Sequence, residues 1–226
     1  MIATEFDQKY NDSVEFNNET HERIQVYPIY FKLGFGAVPT IFGRYLVLER
    51  LIKALDLLPP EYGLLIWDIY RPRSVQAKIF NWMREEIRKK FPQLTEQENF
   101  DKTKKYASLP SVIGDDYCPP HLSGGAIDLT LYETASGNEL EMGTPFDDCT
   151  ERAHRDFFNI KGTLSIEEEK IQYRRNLLCS TMEQVGFTSY QYEWWHFDIG
   201  NILWSKAVQQ PAFFTPLFGD KEWPDM

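Results

Sequence analysis

The feature that most constrains the fold of this 226-residue chain is an amphipathic helix pattern followed directly by a short apolar run. Over residues 45–58, apolar side chains recur every three or four positions, which is typical of a helix with one buried face. The pair Pro59-Pro60 ends that helix, because proline cannot continue it. Residues 63–70 then predict a buried strand whose polar end emerges from the sheet. A chain of this length can bury one self-sufficient core.

Two further helices are predicted from their N-terminal caps. Ser74 precedes residues 75–88, in which apolar side chains face one way and charged side chains face water. Ser165 and Glu168 have the spacing of a capping box, and the helix that they begin ends at Gly186, a residue suited to a left-handed cap. Residues 92–120, rich in polar residues and proline, predict a long loop with one helical turn.

Two strands are predicted in the second half of the chain. Residues 126–132 alternate between apolar and polar side chains, as in a half-buried strand, and Asp128 faces away from the aliphatic core. Residues 188–199 are dense in aromatic residues and predict a last strand. Because helices and strands are mixed without regular βαβ alternation, we predict an α+β fold. The chain contains neither an internal repeat nor a linker, which favours a single domain over residues 1–226.

Charge and cysteine content exclude several classes of partner. The 24 basic and 34 acidic residues give a net charge of −10, which repels nucleic acid and anionic membranes, so we expect neither as a partner. No apolar run is long enough to span a bilayer. Acidic residues near the start, at Glu5 and Asp7, are unlike a signal peptide, and three scattered cysteines suit a reducing compartment. We therefore expect a cytoplasmic protein, while the sequence gives no indication of its oligomeric state.

Histidine is scarce, so a histidine-based metal site has few possible members: His21, His121, His154 and His196. His121 precedes a Gly-Gly pair and Asp128 follows it in the next strand, while Glu193 stands three residues before His196. A catalytic zinc takes three nitrogen or oxygen ligands and keeps one position open for water. His121, Asp128 and His196 supply that set, and Glu193 is then left over as a proton shuttle.

Alternatives remain open from the residues alone. Histidines near aromatic side chains are commonly hydrogen-bonded core residues, and Cys118, three positions before His121, is a competing ligand. We interpret His154 as structural and His21 as a surface residue.

Several motifs match one known family in order and spacing. The segment Pro119-Pro-His121-Leu-Ser-Gly124-Gly-Ala126-Ile-Asp128 resembles the Ser-x-His-x-x-Gly-x-Ala-x-Asp signature of the D-alanyl-D-alanine dipeptidases, zinc peptidases related to the vancomycin-resistance dipeptidase. Glu193-Trp-Trp-His196 resembles the second signature of that family. Further agreement extends over nearly the whole chain, from Asp7-Gln-Lys-Tyr10 through Asp68-Ile-Tyr-Arg71-Pro72 to Met142-Gly-Thr-Pro-Phe-Asp147.

The resemblance implies a fold, a cofactor and a reaction. The fold is a Hedgehog/DD-peptidase-like α+β domain, with a central, mostly antiparallel sheet and flanking helices. One Zn²⁺ per chain is implied on His121, Asp128 and His196, with Glu193 as the catalytic base and acid. The implied reaction is hydrolysis of D-alanyl-D-alanine, a small dipeptide, to two D-alanines. The alternatives are a D,D- or L,D-carboxypeptidase acting on longer muropeptides and a non-catalytic, zinc-stabilised binding module.

Other residues are implied to contact the substrate. Arg71 matches the arginine that stabilises the tetrahedral intermediate, and Asp68 orients it. Tyr10 and Asp147 match residues around the substrate's ammonium group. Two residues depart from the family's pattern: Pro119 replaces a serine of the first signature and removes its hydroxyl donor, and Ile69 replaces a glycine and is expected to add bulk beside the pocket.

The second signature raises a geometric problem. Residues three positions apart in a regular strand point to opposite faces, yet Glu193 and His196 must face one metal. We therefore predict a bulge, a sharp twist or the end of the strand between them, held by Trp194 and Trp195 on either side.

Overall fold

A five-stranded sheet lies at the centre of the structure, a computed structural model that describes residues 8–224. Within these residues the strands are β1 (Ser13–Phe16), β2 (Ile24–Val26), β3 (Ile41–Arg44), β4 (Tyr62–Asp68), β5 (Ala126–Glu133), β6 (Thr188–Ser189) and β7 (His196–Asp198). The central sheet has the order β2-β4-β5-β7-β6, with β2 parallel to β4 and the other pairs antiparallel. β1 and β3 form a separate antiparallel pair.

Helices flank this sheet. They are α1 (Ile29–Lys32), α2 (Tyr45–Leu57), α3 (Arg73–Lys90), α4 (Glu96–Tyr106), α5 (Phe157–Ile160), α6 (Ile166–Gln184) and α7 (Ile202–Val208). The main core forms where α2 and α6 pack against the sheet, and its fully buried members include Leu51, Leu64, Leu129 and Leu178. The mostly antiparallel sheet with helices around it confirms the predicted α+β class.

Local sequence signals located two helices closely. The predicted helix over residues 45–58 is α2, which ends before Pro59. The capping box is formed as predicted, because the Ser165 side chain accepts from the Glu168 backbone N–H and the Glu168 side chain accepts from the backbone N–H of Ser165. Gly186, just after α6, has a φ of 99°, the left-handed conformation that glycine adopts without strain.

The predicted helix over residues 75–88 is present as α3, but its predicted cap and one predicted loop are wrong. Ser74 does not cap α3, which begins at Arg73, and its hydroxyl instead donates to Glu222 near the C-terminus. The stretch predicted as a loop contains α4, an 11-residue helix with its own capping box at Thr95. α4 is polar because only one narrow face is buried, against α3, so its apolar periodicity is weak.

The two strands of the second half also differ from prediction. β5 was expected to be half-buried, but residues 126–132 are buried on both faces. Its apolar side chains enter the core, while Asp128 faces a polar cavity. The single strand expected over residues 188–199 is instead the two short strands β6 and β7, separated by a turn.

No helix within residues 8–224 is long and apolar enough to cross a membrane. Cys118, Cys149 and Cys179 are unpaired thiols.

Substitution of Gly125, just before β5, tests how tightly the backbone is packed near the strands that carry the polar residues. A Cβ at this position would lie 2.3 Å from the backbone oxygen of Ile199. Backbone cannot move aside cheaply, so we expect Gly125→Ala to lower the free energy of unfolding by about 1–3 kcal/mol in urea denaturation. Gly162→Ala is the matched control, because a Cβ there meets no atom within 4 Å. Equal stability of the two variants would contradict the prediction.

Candidate active site

Strand register brings three polar residues side by side across the central sheet. Asp128 on β5 is the direct partner of His196 on β7 and of Asp68 on β4. Directly paired residues point to the same face of a sheet, so the three side chains share one face. The pairing of Asp68 depends on a register shift between Ile66 and Asp68, which leaves Trp67 without a partner. This bulge turns Asp68 toward the site.

A compact set of possible metal ligands forms at this row. His121, in the short turn His121–Ser123 before β5, joins Asp128 and His196, and their ligand atoms lie within 4.8 Å of one another. His121 Nε2 is 3.3 Å from both His196 Nδ1 and Asp128 Oδ2. Ligands about 2.0–2.1 Å from a tetrahedral zinc stand roughly 3.3 Å apart, so these separations suit such an ion.

Outer hydrogen bonds fix which nitrogen of each histidine faces this centre. His121 Nδ1 donates to the backbone oxygen of Ile69 at 2.8 Å, and His196 Nε2 donates to Asp198 Oδ1 at 3.0 Å. His121 Nε2 and His196 Nδ1 are thereby the nitrogens directed to the centre, where His196 Nδ1 lies 2.9 Å from Asp128 Oδ1. Such partners commonly orient metal-binding histidines. The residues present therefore fit a divalent metal ion.

Asp198 was missed in the sequence. It is 1% exposed and also accepts from Asn201 Nδ2 at 2.6 Å. Because alternate residues of a strand share a face, the spacing His196-x-Asp198 was the signal that could have revealed it. Its negative charge beside His196 favours a cation at the centre.

Glu193 reaches the same centre from outside the strand. β7 begins at His196, and Glu193 lies in the turn before it, so strand alternation does not separate the two side chains. Glu193 Oε2 is 3.8 Å from His196 Nδ1. The predicted end of the strand between these residues is confirmed. Trp194 packs against Trp67, and Trp195 packs against Phe146; the two tryptophan rings also contact each other, so the four rings form one aromatic cluster.

The pKa values of two buried carboxyl groups of the site are shifted in opposite directions. Burial raises the pKa of Glu193 well above its usual range, and nearby Asp128 adds to this effect. Burial by itself also raises the pKa of Asp128, but His121 and His196 hold it well below the ordinary value through charge and hydrogen bonds. Asp128 is thus a carboxylate suited to bind a metal, while Glu193 is suited to exchange a proton.

Arg71 is fixed behind the centre by several polar partners. Its Nε donates to Asp68 Oδ2 at 2.9 Å, its Nη1 to Gln76 Oε1 at 2.9 Å, and its Nη2 to Asp128 Oδ2 at 3.3 Å. The side chain is 6% exposed and lines the same cavity as Glu193. A guanidinium held in this way can stabilise negative charge without rearranging.

Asp147 lies on a loop that faces the cavity. Both of its carboxylate oxygens are within 3.2 Å of the Tyr30 hydroxyl. Its φ of 60° is uncommon for a residue other than glycine. Burial raises the pKa of Asp147 to about 7, against the opposing charge of Arg71.

Most predicted site residues line one cavity of about 170 Å³. These are Arg71, His121, Asp128, Asp147, Glu193 and His196. Asp68 is not part of this lining, but its carboxylate accepts a hydrogen bond from Arg71 Nε. Tyr10 does not join them: its hydroxyl lies 3.4 Å from Glu49 Oε2 on α2, and it is absent from the cavity lining. Asp7, from the same motif, lies outside the described residues.

The remaining candidates lie outside the cluster. His154 Nε2 is 3.0 Å from the Tyr106 hydroxyl, and the His21 ring accepts from the Arg23 backbone N–H. Cys118 is not part of the ligand set found among residues 8–224. The expectation that Ile69 adds bulk beside the pocket is wrong, because its side chain is fully buried in the core against Gly43.

Comparison with known proteins gives concordant matches. Residues 46–214 match the model of a peptidase family described as D-ala-D-ala dipeptidase. The chain is 34% identical over 166 residues to a D-alanyl-D-alanine dipeptidase of Enterococcus faecium, covering 71% of this chain and 74% of that protein. The protein of the same name from Enterococcus faecalis is 34% identical, over 61% of this chain and 62% of its own length. That from Synechocystis is 30% identical, over 73% of this chain and 71% of its own length.

Asp198 should control metal affinity through His196. Removing a carboxylate that orients a metal-binding histidine costs about 10–100-fold in affinity. We expect Asp198→Ala to raise the Kd for Zn²⁺ by that factor, measured by competition with a chromophoric chelator. Asp56→Ala, at an exposed position on α2, is the control. An unchanged Kd in Asp198→Ala would show that Asp198 does not support the site.

Asp147 should make the metal-free protein less stable as pH rises. Its pKa in the folded state is about 7, above the ordinary 3.8. Between these two pH values the folded protein keeps a proton that the unfolded chain has released, so the folded state loses stability as the pH rises. Asn stays neutral throughout. We expect Asp147→Asn to increase the free energy of unfolding by at least about 1 kcal/mol more at pH 8 than at pH 5.

Urea denaturation at the two pH values measures this difference. The exposed substitution Asp56→Asn is the control and should have the same effect at both. A stabilisation by Asp147→Asn that does not depend on pH would contradict the raised pKa of Asp147.

Proposed function

The chain belongs to the D-Ala-D-Ala dipeptidase family of metallopeptidases, and from this premise we propose that it hydrolyses D-alanyl-D-alanine to two D-alanines. In this proposal one Zn²⁺ is held by His121, Asp128 and His196. One observation carries it: the possible metal ligands, a buried carboxyl group with a raised pKa and a fixed guanidinium all line the same cavity. Zinc at such a site supplies Lewis acidity that makes water nucleophilic near neutral pH.

Glu193 is the proposed proton carrier. Its carboxylate removes a proton from the attacking water as the water oxygen bonds to the peptide carbon. The same group then donates that proton to the amine of the leaving D-alanine as the C–N bond breaks. Burial, which raises the pKa of Glu193 above its usual range, supports a role in which the group accepts a proton and then returns it.

Arg71 is proposed to stabilise the negative charge that develops on the peptide oxygen. Its bond to Asp68 and its burial keep the guanidinium oriented, so little reorganisation is needed during the reaction. Asp68 is therefore a positioning residue in this proposal.

Asp147 is proposed to bind the substrate's free ammonium group. A carboxylate is the natural partner of an ammonium cation, and Asp147 faces the cavity that contains Glu193. In a longer muropeptide the corresponding nitrogen is acylated and uncharged, so it would leave the Asp147 carboxylate without that partner. This favours the dipeptide over the alternative carboxypeptidase substrate.

Substrate choice tests the proposal directly. The purified, zinc-loaded protein is offered D-alanyl-D-alanine, L-alanyl-L-alanine and a longer muropeptide that ends in D-alanyl-D-alanine. Release of D-alanine from the first substrate alone supports the dipeptidase. Faster release from the muropeptide would establish a carboxypeptidase, and no turnover of any substrate would favour a zinc-stabilised binding module.

Glu193 should be needed for turnover and not for metal binding. Glu193→Gln keeps the shape of the side chain but removes its capacity to accept a proton, so we expect kcat to fall about 10²–10⁴-fold while the zinc content is unchanged. Glu169→Gln, at an exposed position on α6, is the matched control. Turnover above about a hundredth of the original rate in Glu193→Gln would exclude it as the proton carrier.

A further inference from the structure

The cavity is completed by a residue from outside the family-matched region. Tyr30 belongs to α1, before residues 46–214, and its side chain lines the cavity together with Arg71 and Asp147. It is 3% exposed, and its ring packs against Phe35 and Phe146. The motifs in the sequence gave no indication of it.

The Tyr30 hydroxyl lies between two charged groups of the proposed site. Arg71 Nη2 is 3.3 Å from the hydroxyl oxygen, and the guanidinium carbon stands 4.6 Å from the centre of the Tyr30 ring. The two Asp147 carboxylate oxygens are 3.1 and 3.2 Å from the same hydroxyl. One phenol therefore contacts both the proposed oxyanion-stabilising group and the proposed ammonium-binding group.

The chemistry of these partners fixes the direction of the hydrogen bonds. A guanidinium only donates, so the Tyr30 oxygen accepts from Arg71. The single hydroxyl proton is then available to Asp147, whose carboxylate only accepts. Arg71 in this way orients the phenol as a donor to Asp147.

The Tyr30 hydroxyl is a contact that fixes the Asp147 carboxylate. Asp147 lies on a loop with the left-handed φ of 60°, a conformation that a non-glycine residue keeps only when its surroundings enforce it. Within residues 8–224, the Tyr30 hydroxyl is the one hydrogen-bond donor to the Asp147 carboxylate. Without that bond the carboxylate can rotate away from the cavity.

We propose that Tyr30 is a positioning residue that holds the Asp147 carboxylate toward the ammonium end of the bound dipeptide. The inference rests on the proposed function, since it requires a dipeptide with a free amino group in this cavity. It predicts that the Tyr30 hydroxyl contributes to binding of the ammonium group and little to the chemical step.

Two ligands that differ in one group test this role. D-alanyl-D-alanine is the substrate, and N-propionyl-D-alanine, the same molecule without its amino group, is used as a competitive inhibitor. Tyr30→Phe removes the hydroxyl and keeps the ring. A hydrogen bond to a charged group changes an equilibrium by roughly 10-fold or more. We therefore expect KM for the dipeptide to rise about 10-fold, while kcat changes less than about 3-fold and the Ki of N-propionyl-D-alanine is unchanged.

Tyr27→Phe is the matched control, because Tyr27 is half exposed and does not line the cavity. Equal losses for both ligands in Tyr30→Phe would overturn the proposal, since they would indicate a general packing defect. A fall in kcat with an unchanged KM would also overturn it, because the hydroxyl would then act on Arg71 alone.

A double variant supplies an independent measurement. If Tyr30 acts through Asp147, Tyr30→Phe adds no further rise in KM once Asp147→Asn is present. Additive effects would contradict the proposal. Failure of the unmodified protein to hydrolyse D-alanyl-D-alanine would refute the proposed function itself, and a normal rate with unaltered kinetics in Tyr30→Phe would refute the role of Tyr30 only.

Discussion

The structure depends on a row of charged and polar side chains buried in the middle of its sheet. Asp68, Asp128 and His196 are neighbours across three strands, each less than 9% exposed. Ionised groups removed from water are costly unless partners compensate them. Arg71, His121 and Asp198 provide this compensation, and each lies within seven residues of the group that it compensates. Strand pairing then brings these three local pairs together into one site.

Two backbone irregularities position the side chains in and beside this row. The bulge at Trp67 pairs Asp68 with Asp128, where a regular register would have paired Trp67 instead. The late start of β7 frees Glu193 from strand alternation and lets it approach His196 from the turn. Aromatic packing around both irregularities, with Trp67 against Trp194, holds them in the core. Irregular backbone next to a regular sheet thus directs groups that a continuous strand would point elsewhere.

The cavity is lined by two chemically different sets of side chains. The histidines and Glu193 suit metal binding and proton transfer, and Asp147 and Tyr30 suit recognition of a cation. Arg71 donates hydrogen bonds to a member of each set, to the possible metal ligand Asp128 and to the Tyr30 hydroxyl. We therefore expect a substitution in one set to affect the other partly through this guanidinium.

The sequence by itself determined the elements with strong local signals and the identities of the polar residues. Caps, periodicity and motif spacing act over a few residues, so they could be recognised in the sequence. They predicted helix α2 with its proline stop, the capping box of α6, the α+β class and the candidate ligands His121, Asp128 and His196. Tertiary structure decided the rest. α4 is held by one narrow face against α3, and the bulge at Trp67 and Tyr30 acquire their roles only through strand register and long-range contacts. Asp198 contacts His196 two residues away, so its spacing was visible in the sequence although it was missed. Local sequence signals do not specify which strands pair with each other, and strand pairing determines which charged side chains become neighbours.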